Sequence, residues 1–319
     1  MACAPYQNVV LVGFGRHAAK TMLPAIQELV FEDLSIYVVT RKQDQVIPVF
    51  RSLTLALEYL MPYRNDTLFI LTSPPSVHFE QAALISGAGF DVSIEKPCFL
   101  KQTEVRSLMA DSSRGKIFEL VMYRHSELWE IFRCDVETFD VDTIDCEFIF
   151  PQIAKGTFRS EAQPETSLLV DAGIYFIDLL VEIGWTPREI ERLETYDGDG
   201  DFWFRFLCEE GCLVGRVKIG GEYKNSVTVS FASQHVVYTP FFYGRPGVRT
   251  RTIYSQTESI NQTEISECNS FGRMVSGLLL NRNEEGELDW GRMLLKTVVL
   301  ENLIQLYDSS TEKIICGIT

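Results

Sequence analysis

The stretch that decides the fold is Val9-Val10-Leu11-Val12-Gly13-Phe14-Gly15-Arg16-His17-Ala18. Its four apolar residues read as a strand buried on both faces. The glycines that follow form a G-x-G-x-x-A pattern. The first Gly permits a tight turn, and the second lets the backbone approach a pyrophosphate. The small Ala18 lets helix and strand pack closely, while the helix N-terminus offers free N–H groups to an anion. Ala18, Ala19, Met22, Leu23, Ile26, Leu29 and Val30 then recur at helical spacing. Pro24 lacks a backbone donor and is expected to kink that helix.

Working outward, the same alternation repeats. Ser35–Thr40 and Thr67–Thr72 read as strands, the latter stopped by Ser73-Pro74-Pro75. A helix from about Ser76 ends at Gly87-Ala88-Gly89, Phe90–Ile94 is a strand stopped at Pro97, and a last strand lies around 117–123. Parallel β-α units of this kind make a doubly wound Rossmann sheet over residues 1–123. The second part, 124–319, reads differently. Strand-like segments near 143–150, 202–208, 212–219, 226–231 and 234–238 are separated by glycine-containing turns, and apolar helices cover about 168–183 and 290–307. That predicts an α+β substrate and oligomerisation domain with a large, mostly antiparallel open sheet.

Composition narrows the function. At roughly 150 residues per domain, 319 residues suggest about two domains. With 46% hydrophobic residues the chain can bury a core, which excludes the disordered and low-complexity classes. A net charge of −15 repels phosphate backbones and anionic membranes, so a small molecule is the expected partner, with neither nucleic acid nor membrane. No apolar stretch reaches the ~18 residues of a membrane span. The N-terminus lacks a signal-peptide pattern, and the eight cysteines are dispersed, which suits a reduced, cytoplasmic protein. Cys208 and Cys212 flank what reads as a hairpin turn, and no second pair lies near enough in sequence for zinc, so no metal is expected.

Two further segments bear on the cofactor. NAD-binding proteins usually place an acidic residue after the second strand, about 20 residues on, to hold the ribose. Here that place reads Thr40-Arg41-Lys42. Two cations and a hydroxyl suit a 2′-phosphate, favouring NADP(H) over NAD(H); an Arg-Lys pair in a solvated loop is the plain alternative. Thr72, Ser73, Pro74, Pro75 and His78 follow one strand end, and Glu95, Lys96 and Pro97 follow another. Ligands of open α/β sheets bind outside those ends. Pro97 also biases Lys96 toward an extended backbone.

On the helix from 168, Asp171, Tyr175 and Asp178 stand at i, i+4 and i+7 and share one face. Carboxylates on so apolar a helix must be hydrogen-bonded or paired. Gly173 removes a side chain near the Asp171–Tyr175 stripe, as if to leave room for a flat ring. The spacing equally suits Asp171 at the helix start, Tyr175 in the core and Asp178 in a salt bridge.

Together these motifs resemble the glucose–fructose oxidoreductase, inositol dehydrogenase and MocA family. The resemblance runs through Gly13–Ala18, Thr72–His78, Glu95-Lys96-Pro97 and Asp171–Asp178, and the end of the last helix at Tyr307 also matches. It implies a nicotinamide cofactor, held by Gly13, Phe14, Gly15, Arg16, His17 and Ala18 with the residues above, and hydride exchange at a sugar or cyclitol hydroxyl. Lys96 takes the place of the family's Glu-Lys-Pro lysine and Asp171 that of the aspartate in its D-x-G-x-H pattern. Tyr175 replaces the usual His, and Glu165-Thr166-Ser167 replaces a common Gly-Gly.

The expected activity is NADP(H)-dependent exchange of hydride with a hydroxyl or carbonyl carbon of a small polar substrate. Tyr175 exchanges the proton, Lys96 bonds the same oxygen, and Asp171 orients Lys96 or a substrate hydroxyl. Arg124, His125 and Arg159 are candidate substrate contacts, and Arg245 and Arg249 candidate anion contacts. Reduction of an imine is an enzymatic alternative, and a non-catalytic NADP-binding regulator the alternative from another class. A homodimer or homotetramer through the C-terminal sheet is also expected.

Overall fold

A computed structural model describes residues 6–29, 34–42, 47–111, 114–151, 168–193, 202–255, 258–267, 269–280, 288–309 and 312–316. The chain divides into two units, Met1–Val121 with Phe271–Met293, and Met122–Ser270 with Leu294–Thr319.

The first unit holds β1 (Asn8–Val12), β2 (Ser35–Val39), β3 (Val49–Phe50), β4 (Thr67–Leu71), β5 (Asp91–Glu95) and β6 (Ile117–Leu120). All pair in parallel in the order β3-β2-β1-β4-β5-β6. The order reverses between β1 and β4, which makes a crevice outside their C-terminal ends. Every residue of β1 and of β4 is buried, as expected of central parallel strands covered on both faces. The helices are α1 (Leu23–Gln27), α2 (Leu53–Leu60), α3 (His78–Gly87) and α4 (Gln102–Met109). The irregularity expected at Pro24 takes the form of a π-helical turn over Ala18–Met22 that leads into α1. Proline cannot supply the donor that would close a regular turn, and the widened turn absorbs the mismatch.

The segment Phe271–Met293 groups with this unit although it is remote in sequence. Leu288 N–H donates to Ile117 O at 2.8 Å, the Arg114 guanidinium lies 4.4 Å from the Trp290 ring centroid, and the rings of His17 and Phe271 are 5.6 Å apart.

The second unit is built on nine strands: β7 (Thr143–Phe150), β8 (Pro187–Arg192), β9 (Phe202–Cys208), β10 (Cys212–Ile219), β11 (Lys224–Phe231), β12 (Gln234–Thr239), β13 (Gly247–Ser255), β14 (Glu258–Glu267) and β15 (Lys313–Ile315). Their order is β14-β13-β12-β11-β7-β10-β9-β8-β15, antiparallel except for β7 with β10. The helices are α5 (Glu127–Thr138), α6 (Leu168–Glu182), α7 (Ser270–Leu280) and α8 (Trp290–Asp308), α7 and the start of α8 lying in the first unit. On one face Ile144, Cys146, Phe148 and Phe150 of β7 alternate inward with Phe204, Phe206, Leu213 and Val217. The other face is half-exposed and polar. It carries Lys224 Nζ 2.5 Å from Glu147 Oε2, Arg205 Nη2 2.7 Å from Glu191 Oε2, and Arg216 4.8 Å from the Trp203 ring centroid. No described helix is long and apolar enough to cross a membrane.

Strands β13 and β14 run through a stretch for which the sequence pattern names no element. The outer one, Glu258-Ser259-Ile260-Asn261-Gln262-Thr263-Glu264, is exposed at every position. It pairs because β13 presents a free backbone edge, a cause that side-chain alternation does not record.

Candidate functional site

In the first unit the glycine loop follows β1 directly. Gly13 has φ +84°, and a Cβ on it would stand 2.8 Å from Ser73 Cα, so both the handedness and the space require glycine. Gly13 N–H donates to Val39 O at 3.1 Å. Thr72 Oγ1 donates to Gly13 O at 2.5 Å, tying the loop to the end of β4. Nothing lies within 4 Å of a Cβ built on Gly15, so the second glycine faces open space, as a backbone meant to approach a pyrophosphate should. Arg16 and His17 are exposed and Phe14 and Ala18 buried.

Thr40-Arg41-Lys42 stands beside that loop. Lys42 Nζ donates to Phe14 O at 3.3 Å, Lys42 N–H to Thr40 Oγ1 at 3.2 Å, and Arg51 Nη1 to Arg41 O at 3.2 Å. The backbone of Arg41 is thus braced while its side chain is exposed. Among the described residues, this cationic turn and the open second glycine are the features of the first unit that fit a 2′-phosphorylated dinucleotide.

Across β5, His17 Nε2 lies 3.0 Å from Glu95 Oε1, which links the loop to the residue before Lys96. Lys96 is half-buried. His78 is 1% exposed, with Nδ1 3.0 Å from Pro97 O and Nε2 2.9 Å from Ser73 O. Burial lowers its pKa against the pull of those carbonyls, so the ring is neutral at pH 7 and donates to one of them. His78 therefore sits between the loops after β4 and β5, bonded to one of them and packed against the other. Ser73 Oγ donates to Gln81 Oε1 at 2.6 Å, Pro74 is exposed and Pro75 buried.

In the second unit α6 is buried from Leu168 to Val181, which is what a helix apolar all round demands. Asp171 is 9% and Tyr175 8% exposed. Tyr175 Oη donates to Met122 Sδ at 3.3 Å, and its ring packs 5.7 Å from Phe148 and 5.4 Å from Phe242. A thioether is a weak acceptor. Gly173 does not open room for a ligand ring. A Cβ there would meet Leu303 Cδ2 at 3.3 Å and Phe204 Cζ at 3.9 Å, so the glycine lets α6 approach α8 and β9.

Two of the proposed substrate cations are committed elsewhere. Arg124 bonds Asp178, with Nε donating to Oδ2 at 2.9 Å and Nη2 to Oδ1, and so supplies the salt bridge that one reading of Asp178 calls for. Arg249 is 1% exposed. Its Nη1 donates to Pro240 O at 3.0 Å and its Nη2 to Tyr243 O at 2.5 Å and Arg245 O at 3.1 Å, and its Nε lies 3.6 Å from the buried Glu267 Oε2, so it folds the 240–245 loop and pairs inside the protein. Its neighbour Arg245 is exposed. Burial and the Arg124 charge lower the His125 pKa to about 4. Arg159 and Glu165-Thr166-Ser167 lie outside the described residues. Lys296 is the residue that sequence reading passes over; its one signal is a lysine within an otherwise apolar helical run. Among the described residues, no group of three or more His, Cys, Asp or Glu side chains could hold a metal ion.

No family model and no curated protein matches the chain. Solved structures do. KijD10, a 3-ketoreductase from Actinomadura kijaniata in complex with NADP and TDP-benzene, matches 93% of this chain with 96% of its own, at TM-score 0.76 and 15% identity. The chain has the fold of this oxidoreductase. The aldose-aldose oxidoreductase from Caulobacter crescentus, complexed with glycerol, matches 97% of this chain with 99% of its own, at TM-score 0.76 and 16% identity. A parallel Rossmann sheet with a separate, large, mostly antiparallel sheet is also the architecture that the motif resemblance implies.

Proposed function

We propose that the protein is an NADP(H)-dependent oxidoreductase of the glucose–fructose oxidoreductase, inositol dehydrogenase and MocA family, acting on a small, polar, sugar-related substrate. The observation that carries this reading is the glycine loop at the β1/β4 switch point, with Gly15 open and Lys42 fastened to Phe14 O. Gly13–Ala18 would hold the pyrophosphate and Thr40, Arg41 and Lys42 the 2′-phosphate. When bound, the nicotinamide supplies or accepts a hydride. The chain's own residues manage the proton. Tyr175 gives it to the developing alkoxide and takes it back in the reverse direction, Lys96 steadies the same oxygen, and Asp171 orients the polar groups around it. KijD10 is a 3-ketoreductase in complex with NADP and TDP-benzene and the Caulobacter enzyme is an aldose-aldose oxidoreductase, which supports a sugar-related substrate. A soluble, cytoplasmic homodimer or homotetramer completes the proposal.

The test follows NADPH absorbance with a panel of aldoses, keto sugars, nucleotide-linked keto sugars, keto acids and cyclic imines. A keto or nucleotide-linked keto sugar is expected to oxidise NADPH. Tyr175→Phe keeps the ring and loses the proton, so turnover should fall roughly 10²–10⁴-fold with NADPH affinity unchanged. Consumption only with imines would move the chemistry to C=N. NADPH binding with no turnover across the panel would make the protein a cofactor-binding regulator instead.

A further inference from the structure

Among the described residues, four charged side chains meet inside the second unit near Tyr175. Asp178 and Glu182 come from α6, Arg124 from the turn before α5 and Lys296 from α8. Lys296 Nζ lies 2.7 Å from Asp178 Oδ1 and 3.2 Å from Glu182 Oε1, with 3% of its side chain exposed. Arg124 Nη2 lies 3.2 Å from Glu182 Oε1 and its Nε 2.9 Å from Asp178 Oδ2. Among the described residues, two cations balance two carboxylates. Burial by itself would raise the Asp178 pKa, but the Arg124 and Lys296 charges overcome it and hold the carboxyl well below the usual range. A buried ion group of this kind is seldom more stable than well-packed apolar residues in its place, so stability alone is a poor reason for it.

Its connections lead to the phenol. Asp178 and Glu182 stand three and seven residues beyond Tyr175, on the same stripe of α6. Tyr123 donates its hydroxyl to Asp178 Oδ2 at 2.6 Å and sets its ring edge-on to Tyr175, with centroids 6.1 Å apart at 67°. Met122, the acceptor of the Tyr175 hydroxyl, is the preceding residue of the same turn. Two other titratable groups lie on α6 and the 122–125 turn, and α8 also carries Arg292, Glu301, Tyr307 and Asp308. Asp171 is one turn earlier on α6, and His125 is neutral at pH 7, its pKa lowered to about 4 by burial and by Arg124. The β7 strand and the 240–245 loop present Phe148 and Phe242 to the ring.

We propose that Lys296 and Glu182 are positioning residues that set the proton affinity of Tyr175, through a charge-neutral group that also holds the Met122–Tyr123 turn against α6. The inference rests on Tyr175 as proton donor, and its test needs no substrate. Removing the Lys296 cation leaves a net negative charge beside the phenol and raises its pKa; removing the Glu182 anion leaves a net positive charge and lowers it. The full chain is prepared with 3,5-difluorotyrosine at position 175, whose ring fluorines make the phenol acidic enough to titrate within the range of the fold. Its ionisation is followed by ¹⁹F NMR.

Lys296→Met should move the midpoint up by about one pH unit and Glu182→Gln down by about as much. The Lys296→Met/Glu182→Gln double variant is neutral again and should return to the parent midpoint. A purely structural role would not give shifts of opposite sign that cancel. Where Lys296→Met alone fails to fold, Glu182→Gln and the double variant carry the same test. Coincident midpoints in the parent and Glu182→Gln proteins would overturn the inference. Full turnover by Tyr175→Phe is a separate result: it would remove the donor role and leave the midpoints to report on the charge group alone.

Discussion

The two glycines of the first loop offer a sharp contrast, because the structure gives them different reasons to be glycine. Gly13 is left-handed at φ +84°, and an added Cβ would meet the Ser73 backbone at 2.8 and 2.9 Å, atoms that cannot swing away. For an L-residue the left-handed conformation costs about 1–2 kcal/mol. Overpacking against a well-packed neighbour costs about 1–3 kcal/mol more. Gly13→Ala should therefore lose about 2–5 kcal/mol, and at roughly 2–4 °C per kcal/mol its thermal midpoint should drop on the order of 10 °C. Gly15 has nothing within 4 Å of the same atom. Gly15→Ala should stay within about 0.5 kcal/mol of the parent, as an ordinary surface change does. Its methyl group would instead occupy the approach to the pyrophosphate, so NADPH affinity should fall about tenfold or more, the effect of losing about 1.4 kcal/mol. The assay is thermal unfolding by circular dichroism beside NADPH fluorescence titration for both variants. An unfolding midpoint for Gly13→Ala within 2 °C or so of the parent would refute the steric argument. Equal destabilisation by both alanines would refute the division of roles.

Three other outcomes can be measured directly. NADPH should bind about tenfold to a hundredfold more tightly than NADH, the range of a charge-assisted contact of about 1.5–3 kcal/mol, and Arg41→Glu should erase or reverse the preference; equal dissociation constants in the parent protein would count against it. The half-exposed face of the nine-stranded sheet should be covered by a second copy, so light scattering at micromolar concentration should report at least a dimer, and a species near 36.3 kDa would contradict this. His125 has a folded-state pKa of about 4 against an ordinary 6.5, so between those values the unfolded chain binds the extra proton and stability must fall as pH drops. His125→Gln should flatten that slope in urea midpoints taken at pH 4.5 and 6.5, and an unchanged slope would assign the acid sensitivity to other groups.

The sequence by itself determined the parallel half of the protein and the cofactor side of the candidate site. Strands β1 and β4 are buried on both faces and so must be unbroken apolar runs, and a left-handed turn against a neighbouring backbone must be glycine, so both leave a mark on consecutive residues. The alternation in β7, β9 and β10 is legible for the same reason, since each presents one face to a core. Tertiary structure alone decided the rest. Strand β14 has no apolar period and exists because β13 offers it an edge. Phe271–Met293 packs with residues more than a hundred positions earlier, and Gly173 serves Leu303 and Phe204, not a ligand. His78, Arg124 and Arg249 are polar residues of the kind that line sites, yet each is spent on buried carbonyls or carboxylates. Lys296 reads as a stray charge in an apolar helix until Asp178 and Glu182 stand beside it. A charge or a hydrogen-bonding group takes its meaning from what lies within about 3 Å of it, and partners 54 and 118 positions apart reach that distance only when the chain is folded.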